Sequence, residues 1–190
     1  MTTLVAGAGG FIGGHVARAL LDRGVAVRAV DRKPLAEWHQ AHRAADNCVV
    51  DLAEGRGCHD AVDGCTRVFN FAVDMGGMGC IAAHNADCML SVLINAHLIV
   101  AARDAGVERY FFASSACVYP EARQRDAAAT ALREGDAYPA DPEDGLGWEK
   151  LFSERRCRHL REDFGLATRV ARFHNVHGPR GTWDGAPRVP

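Results

Sequence analysis

Three glycines near the N-terminus have the spacing of a phosphate-binding turn. Gly7, Gly10 and Gly13 follow the apolar run Leu4–Ala6 and precede apolar residues at helical spacing. This order predicts a strand, a tight turn and a helix. A glycine turn lets the backbone approach a pyrophosphate closely, and the following helix offers unpaired N–H groups and a partial positive charge to the anion. We therefore predict a cradle for the phosphates of a nucleotide.

An acidic residue follows the second apolar run, as in dinucleotide-binding sites. The run Val25–Val30 ends directly before Asp31, at the expected distance of about 20 residues from the glycines. A carboxylate here hydrogen-bonds the adenosine ribose hydroxyls and repels a 2′-phosphate, which predicts NAD. Arg32 and Lys33 favour the alternative, NADP, because neighbouring cations could hold that phosphate.

Lysine is rare in this chain. Of the 22 basic residues only Lys33 and Lys150 are lysine. An ammonium group is compact and its pKa shifts on burial, which an arginine cannot match. Lys150 is therefore a candidate for a chemical role, and chance retention is the alternative.

Apolar runs alternate with helical patterns along the chain, which is typical of strand-helix-strand units. The pattern predicts an α/β fold, a doubly wound parallel sheet of the Rossmann type, in a domain over residues 1–180. An apolar stripe that starts near Asn85 and closes at Gly106 predicts a helix packed on the sheet. A further helix is predicted from Gly147 to Phe164. The predicted strands are Leu4–Ala6, Val25–Val30, Cys48–Val50, Val68–Ala72, Tyr110–Ser114 and Thr168–Arg172.

Polar or glycine-containing stretches follow four of these strands. Because the carboxyl ends of parallel strands meet at one edge of the sheet, we expect these stretches to converge on one cleft. They are Asp51–Leu52, Phe71–Gly79, Ser114–Tyr119 and Arg172–Pro179.

The composition excludes several classes of protein. The chain has 190 residues, 48% of them hydrophobic, and a formal net charge of -2, so it lacks the basic excess of nucleic-acid-binding proteins. The sequence shows no leader and no uninterrupted apolar run that could span a bilayer, which predicts a cytoplasmic protein without a membrane partner. The seven cysteines and nine histidines lack the spacing of a disulfide framework or a metal site, so we expect no metal.

Several of these features occur together in a known family. The glycine pattern, Asp31, the run Ser-Ser-x-x-Val-Tyr from Ser114, and Lys150 resemble the extended short-chain dehydrogenase/reductases that act on nucleotide sugars. The stretches 75–79 and 172–175 are similar to those of members that act on a GDP-hexose. The resemblance covers nearly the whole chain and implies NAD as cofactor and a nucleotide-sugar substrate.

The resemblance also implies roles for individual residues. In such enzymes NAD oxidises the hexose at C4, the acidified protons at C3 and C5 exchange, and the hydride returns. By resemblance Cys117 is an acid–base group, a role that suits a thiol because its surroundings can bring its pKa near neutrality. The resemblance also implies that Ser115 binds the C4 oxygen and that Lys150 holds the nicotinamide ribose and lowers the pKa of a neighbouring acid. A plain buried cysteine is the alternative for Cys117. The predicted catalytic residues are Ser115, Cys117 and Lys150; the cofactor-binding residues are Gly7, Gly10, Phe11, Ile12, Gly13, Asp31, Arg32, Asp51, Leu52, Phe71, Ala72, Val73, Lys150 and Phe173; the substrate-binding residues are Gly76, Gly77, Met78, Ser114 and Asn175.

Two features depart from the family's pattern. The family has a tyrosine four residues before the lysine, where it removes the C4 hydroxyl proton, and Leu146 occupies that position here. Loss of a general base costs about 10²–10⁴-fold in rate. The family also continues into a substrate-binding domain, of which residues 181–190 would be only the start.

Three hypotheses therefore stay open. The chain is an NAD-dependent nucleotide-sugar epimerase impaired by Leu146, or an inactive module that binds NAD or a nucleotide sugar, or an epimerase of a ketosugar that needs no redox step. We expect a homodimer that pairs through the helix from Asn85 to Gly106, or a partner chain that supplies the rest of the substrate domain.

Overall fold

A single parallel sheet organises the protein. The computed structural model describes residues 1–74, 85–124 and 131–181. Within them six strands pair in the order β3-β2-β1-β4-β5-β6, and every pair is parallel. The predicted fold class is confirmed. The strands are β1 (Thr2–Ala6), β2 (Ala26–Asp31), β3 (Asp46–Val49), β4 (Cys65–Asn70), β5 (Arg109–Ser115) and β6 (Ala167–Phe173).

Helices cover the sheet on both faces. The described helices are α1 (Phe11–Leu21), α2 (Gly55–Val62), α3 (Asn85–Met89), α4 (Ser91–Asp104) and α5 (Leu146–Phe164). Single turns of 3₁₀-helix lie at Leu35–Glu37, Ala116–Val118, Glu121–Arg123 and Glu134–Ala137.

Alternation along β1 divides its side chains between two cores. Leu4 and Ala6 pack with residues of α2, α4 and α5. Val5 points to the other face and packs with Ala17 of α1 and with Trp38. The strand order reverses beside β1, since β2 pairs on one side and β4 on the other. A crevice therefore opens at the carboxyl ends of β1 and β4.

Some predicted elements need correction. The helix predicted from Asn85 is interrupted at Leu90, and β4 begins at Cys65 instead of Val68. Helix α2 was not predicted, because two glycines in its first three residues oppose helix formation. Gly106 has φ of +69° after α4, as expected of a glycine that ends a helix.

One described segment is long and apolar enough to span a membrane, contrary to the expectation from the sequence. Residues 85–104 have the length and the mean hydropathy, 1.4, of a spanning helix. Their apolar side chains include Ile94, Leu98 and Ile99, which belong to the core against the sheet. A buried core helix has the same length and hydropathy, so packing against the sheet accounts for the apolar side chains of this segment. The predicted domain boundary after residue 180 stays a prediction, since residues 182–190 lie outside the described part.

Candidate functional site

The glycine turn after β1 is held by main-chain contacts that leave no room for side chains. The amides of Gly7 and Ala8 donate to the carbonyl of Val30, at 2.8 and 3.0 Å, and Gly7 has φ of +78°. A Cβ on Gly13 would overlap the backbone of Gly7. The first turn of α1 thus packs closely against the glycine turn, as expected of the third glycine in a dinucleotide-binding turn.

The N-terminus of α1 is suited to an anion. Its N-cap, Gly10, contributes no side-chain hydrogen bond, and the first turn contains no acidic residue. The first amides of the helix, including those of Phe11 and Ile12, therefore have no capping side chain. This arrangement fits the phosphates of NAD.

Asp31 lies at the end of β2, where the sequence predicted it. Its Oδ2 accepts from the amide of Gly9 at 3.0 Å, and its Oδ1 accepts from the amide of Lys33 at 3.1 Å. These bonds hold the carboxylate beside the glycine turn, which fits an adenosine ribose.

Arg32 forms an ion pair with Asp74. Its Nη1 and Nη2 donate to the two carboxylate oxygens of Asp74 at 2.8 and 2.6 Å. The amide of Asp74 donates to Oγ of the buried Ser91 at 2.9 Å. The ion pair therefore joins the end of β2 to the segment after β4.

Ser115 and Cys117 lie at the carboxyl end of β5. The Cys117 amide donates to Oγ of Ser115 at 3.2 Å, and the amide of Glu143 donates to the Cys117 carbonyl at 2.9 Å. A Cβ on Gly147 would overlap that same carbonyl, so α5 starts in contact with this turn.

The Cys117 thiol does not have the expected low pKa. Burial raises its pKa above the ordinary value, and the carboxylate of Glu143 raises it further, while the Ser115 hydroxyl opposes the change. Burial is the largest effect on this pKa and prevails over the Ser115 hydroxyl, so the surroundings of Cys117 in this structure do not bring its pKa toward neutrality. Cys117 is thus a protonated thiol at neutral pH.

Lys150 is buried beside an acidic neighbour. The residue is 6% exposed, its Nζ lies 3.7 Å from Oε2 of Glu149, and it stands 4.9 Å from the centre of the Phe112 ring. Burial lowers the pKa of the Lys150 ammonium, and Glu149 and then Cys117 oppose this shift. The Glu149 carboxylate therefore stabilises the charged form of Lys150.

Glu149 belongs to a buried polar network between β4, α4 and α5. Asn95 and Ser153 donate to its Oε1, the latter at 2.9 Å. Asn70 donates to Oδ1 of Asn95 at 2.7 Å and to the Tyr110 hydroxyl at 3.0 Å. Within the described residues Oε2 of Glu149 accepts no hydrogen bond, so Lys150 is its counter-charge.

Leu146 is the first residue of α5, and it is 4% exposed. It occupies the place from which the family's tyrosine acts, one helical turn before Lys150. An aliphatic side chain there contributes packing and no proton transfer.

Ser114 is engaged on the face of β5 opposite Ser115. Its hydroxyl donates to Oε1 of Glu154 at 2.5 Å, and Arg172 also donates to both oxygens of this carboxylate, at 2.9 and 2.7 Å. Its predicted contact with substrate stays a prediction, and the hydroxyl is committed to Glu154 in this structure.

Two predicted cofactor residues, Phe71 and Phe173, belong to a row of aromatic rings that runs across β4, β5 and β6. Phe71 stacks on Phe173 with ring centres 6.3 Å apart, and both contact Phe111. The row continues to Phe69. Phe69 and Phe71 pack against the core on the face of the sheet that α1 shares.

The other predicted residues lie at the expected strand ends. Asp51 accepts from the amide of Ala53 at 2.8 Å, and Leu52 is buried in the core. The Ala72 amide donates to Oδ1 of Asn70 at 3.0 Å, and Asn175 is exposed. Val73 follows Ala72 beside the crevice, and Gly76, Gly77 and Met78 lie outside the described residues.

Four carboxylates near the site were not singled out from the sequence: Asp74, Glu143, Glu149 and Glu154. The first two lie in loops, where no periodicity marks a functional side chain. Glu149 adjoins Lys150 in the chain, but neighbours on a helix do not normally face each other. Among the residues that the structure describes, no group of three potential ligands could hold a metal ion.

Comparison with known proteins adds to this geometry. The sequence model of the NAD dependent epimerase/dehydratase family matches residues 3–189. GDP-mannose 3,5-epimerase of Arabidopsis thaliana is 43% identical over 182 residues, which are 95% of this chain and 48% of that protein. The chain thus spans about half the length of the curated relatives it matches first.

Two solved structures are similar as well. A short-chain dehydrogenase/reductase superfamily protein from Agrobacterium tumefaciens with bound NAD has a TM-score of 0.75 and 28% identity, and the match covers 90% of this chain and 48% of the other. UDP-glucose 4-epimerase of Thermus thermophilus, in complex with NAD, has a TM-score of 0.81 and 25% identity over 96% of this chain and 58% of the other.

Proposed function

The chain belongs to the NAD dependent epimerase/dehydratase family, and we propose that it binds NAD and acts on a nucleotide sugar in the manner of a GDP-mannose 3,5-epimerase. The observation that carries the proposal is the group formed by Ser115, Cys117 and Lys150 at the end of β5, in a chain 43% identical to such an enzyme. When bound, NAD accepts a hydride from C4 of the hexose and returns it.

The residues of the chain would handle the protons. Cys117 is protonated at neutral pH, so it would deliver a proton to C3 or C5 of the ketosugar. Ser115 would hydrogen-bond the oxygen at C4. Lys150, whose charged form is stabilised by Glu149, would hold the nicotinamide ribose and favour negative charge nearby.

A second candidate is a module that binds NAD without turning over a sugar. The observation that favours it is Leu146, whose buried aliphatic side chain stands where a proton acceptor is needed. An epimerase that receives a ketosugar made elsewhere needs no acceptor there, and it forms the third possibility.

Proton exchange separates these functions. The protein is incubated with NAD and GDP-mannose in D₂O, and C3 and C5 of the sugar are followed by NMR, with NAD binding measured in the same sample. Deuterium at either carbon would support the epimerase. NAD binding without exchange would support the binding module, and exchange only with a 4-ketohexose nucleotide would support the redox-free reaction.

A pair of variants tests the position of the missing base. Leu146→Tyr should raise the exchange rate by about 10²-fold or more, the contribution of one general base. Leu146→Phe has the same ring without a hydroxyl and controls for the added volume. Equal rates in both variants would locate the impairment elsewhere.

A homodimer is proposed on the exposed apolar side chains of the adjoining helices α3, α4 and α5. Leu90, Leu93, Trp148 and Phe152 are each between 41% and 54% exposed. Leu93→Asp should shift the mass measured by light scattering to that of a monomer. Val49→Asp, on the β3 edge of the sheet, should leave the mass unchanged.

A further inference from the structure

The Arg32–Asp74 ion pair crosses the crevice in front of β1. Arg32 directly follows β2, Asp74 lies four residues beyond β4, and both of these strands flank β1. The guanidinium meets the carboxylate with two short hydrogen bonds, 2.8 and 2.6 Å long. Both terminal nitrogens of Arg32 are thus engaged.

Asp74 is anchored independently of Arg32. Its amide donates to Oγ of Ser91, a fully buried residue at the first position of α4. The carboxylate therefore starts from a fixed main-chain position. Asp31 is also held by two main-chain amides, so both carboxylates have fixed positions, and Asp74 is the one that pairs with the guanidinium.

This arrangement bears on a 2′-phosphate at the adenosine ribose. In NADP-binding sites of this fold an arginine near the end of β2 accommodates that phosphate. Arginine binds phosphate best through a pair of parallel N–H groups. Asp74 occupies that pair of N–H groups of Arg32 and neutralises the charge of the guanidinium.

We propose that Asp74 is a specificity-determining residue: by occupying Arg32 it prevents recognition of a 2′-phosphate and makes the site selective for NAD over NADP. The proposal rests on the proposed binding of NAD. Asp31 alone repels the phosphate, whereas Asp74 removes the cation that would otherwise offset that repulsion.

The test measures dissociation constants of NAD and NADP by calorimetry for the whole chain. Asp74→Asn keeps the shape of the side chain and removes its charge. It should tighten NADP binding about tenfold, the effect of one charge-assisted hydrogen bond, and change NAD binding by less than about twofold. Asp22→Asn breaks an exposed ion pair with Arg18 at the far end of α1 and should change neither constant.

A double variant identifies the cation responsible. In Arg32→Ala/Asp74→Asn the gain in NADP affinity should disappear, although Lys33 remains. In Asp74→Asn the gain should shrink between 0.05 and 0.5 M salt, as expected for an exposed charge.

Three results would overturn the proposal: unchanged NADP affinity in Asp74→Asn, an equal gain for both cofactors, or a gain that persists without Arg32. Wild-type protein that binds neither cofactor would refute the proposed function itself, and the inference with it. Wild-type binding of NAD is measured first, so the two failures are distinguished.

Discussion

Replacing Glu149 by glutamine tests whether its carboxylate stabilises the buried charge of Lys150. The variant keeps an oxygen that can accept from Asn95 and Ser153. Oε2, which lies 3.7 Å from Nζ of Lys150, becomes an NH₂ group that cannot accept a hydrogen bond. The ammonium is then left buried without a counter-charge, because no other acceptor of Lys150 is present among the described contacts.

The size of the effect follows from two limits. Breaking a buried ion pair by removing one partner typically costs about 3–5 kcal/mol. Lys150 can instead lose its proton in the native state. This loss costs about 1.4 kcal/mol for each unit by which the pH of the solution lies below the ordinary pKa of lysine, 10.5. The destabilisation is therefore limited to about 5 kcal/mol at pH 7 and to about 2 kcal/mol at pH 9.

The sign of the pH dependence is fixed by proton binding. In Glu149→Gln the native state holds Lys150 with a still lower pKa, whereas the unfolded chain remains protonated up to about pH 10. The unfolded state then binds more protons, so the stability of the variant rises with pH relative to wild type.

Urea unfolding of wild type and variant at pH 7 and pH 9 measures the difference. Ser153→Ala removes one hydrogen bond from the same carboxylate and serves as control, with an expected loss of about 1 kcal/mol that is equal at both pH values. Lys150→Met/Glu149→Gln removes both charges and should recover most of the stability. A loss in Glu149→Gln that is below 1 kcal/mol, or that does not shrink at pH 9, would refute the reasoning.

Two further predictions concern the turn and the buried thiols. Gly13→Ala places a Cβ against the backbone of Gly7 and should cost about 1–3 kcal/mol and weaken NAD binding, whereas Gly135→Ala, with open space around it, should do neither in calorimetry and urea unfolding. Burial raises the pKa of Cys58 and Cys157 to about 12 from an ordinary 9.0, so the native state keeps protons that the unfolded chain loses. Stability should fall by roughly 1.4 kcal/mol per thiol at pH 10, and Cys58→Ala/Cys157→Ala should remove that part of the slope between pH 8 and pH 10; an unchanged slope would contradict the assignment.

The sheet and the dinucleotide turn were predictable because their signals are local. Alternating apolar runs and glycines with a following helix pattern are properties of short stretches, and the carboxyl ends of parallel strands necessarily share one edge. Helix α2 carried no such signal, since it contains two glycines and several charged residues. Its buried side chains are Cys58, Ala61 and Val62. Tertiary packing, not propensity, makes that segment helical.

The place of Cys117 and of the serines at the carboxyl end of β5 followed from the sequence, whereas their surroundings did not. Cys117 follows β5 as expected, but its pKa depends on what surrounds the sulfur: burial and Glu143 prevail over the Ser115 hydroxyl. Ser114 and Ser115 are adjacent in the chain and point to opposite faces of β5, so their hydroxyls have different partners, Glu154 and the Cys117 amide. Such differences follow from the packing of other elements, which a motif does not contain.

The acidic partners of the predicted cations were beyond the sequence, and they change how an anion can be bound. Arg32 is paired with Asp74, Lys150 with Glu149, and Arg172 with Glu154, at separations in sequence from one to 42 residues. Buried or crowded cations require such partners, because an unpaired charge loses solvation that nothing replaces. With these three side chains neutralised, the main-chain amides at the uncapped start of α1 become the principal feature for a pyrophosphate. We therefore expect that a substitution which distorts the glycine turn weakens binding of the cofactor's phosphates more than the removal of any one of these cations does.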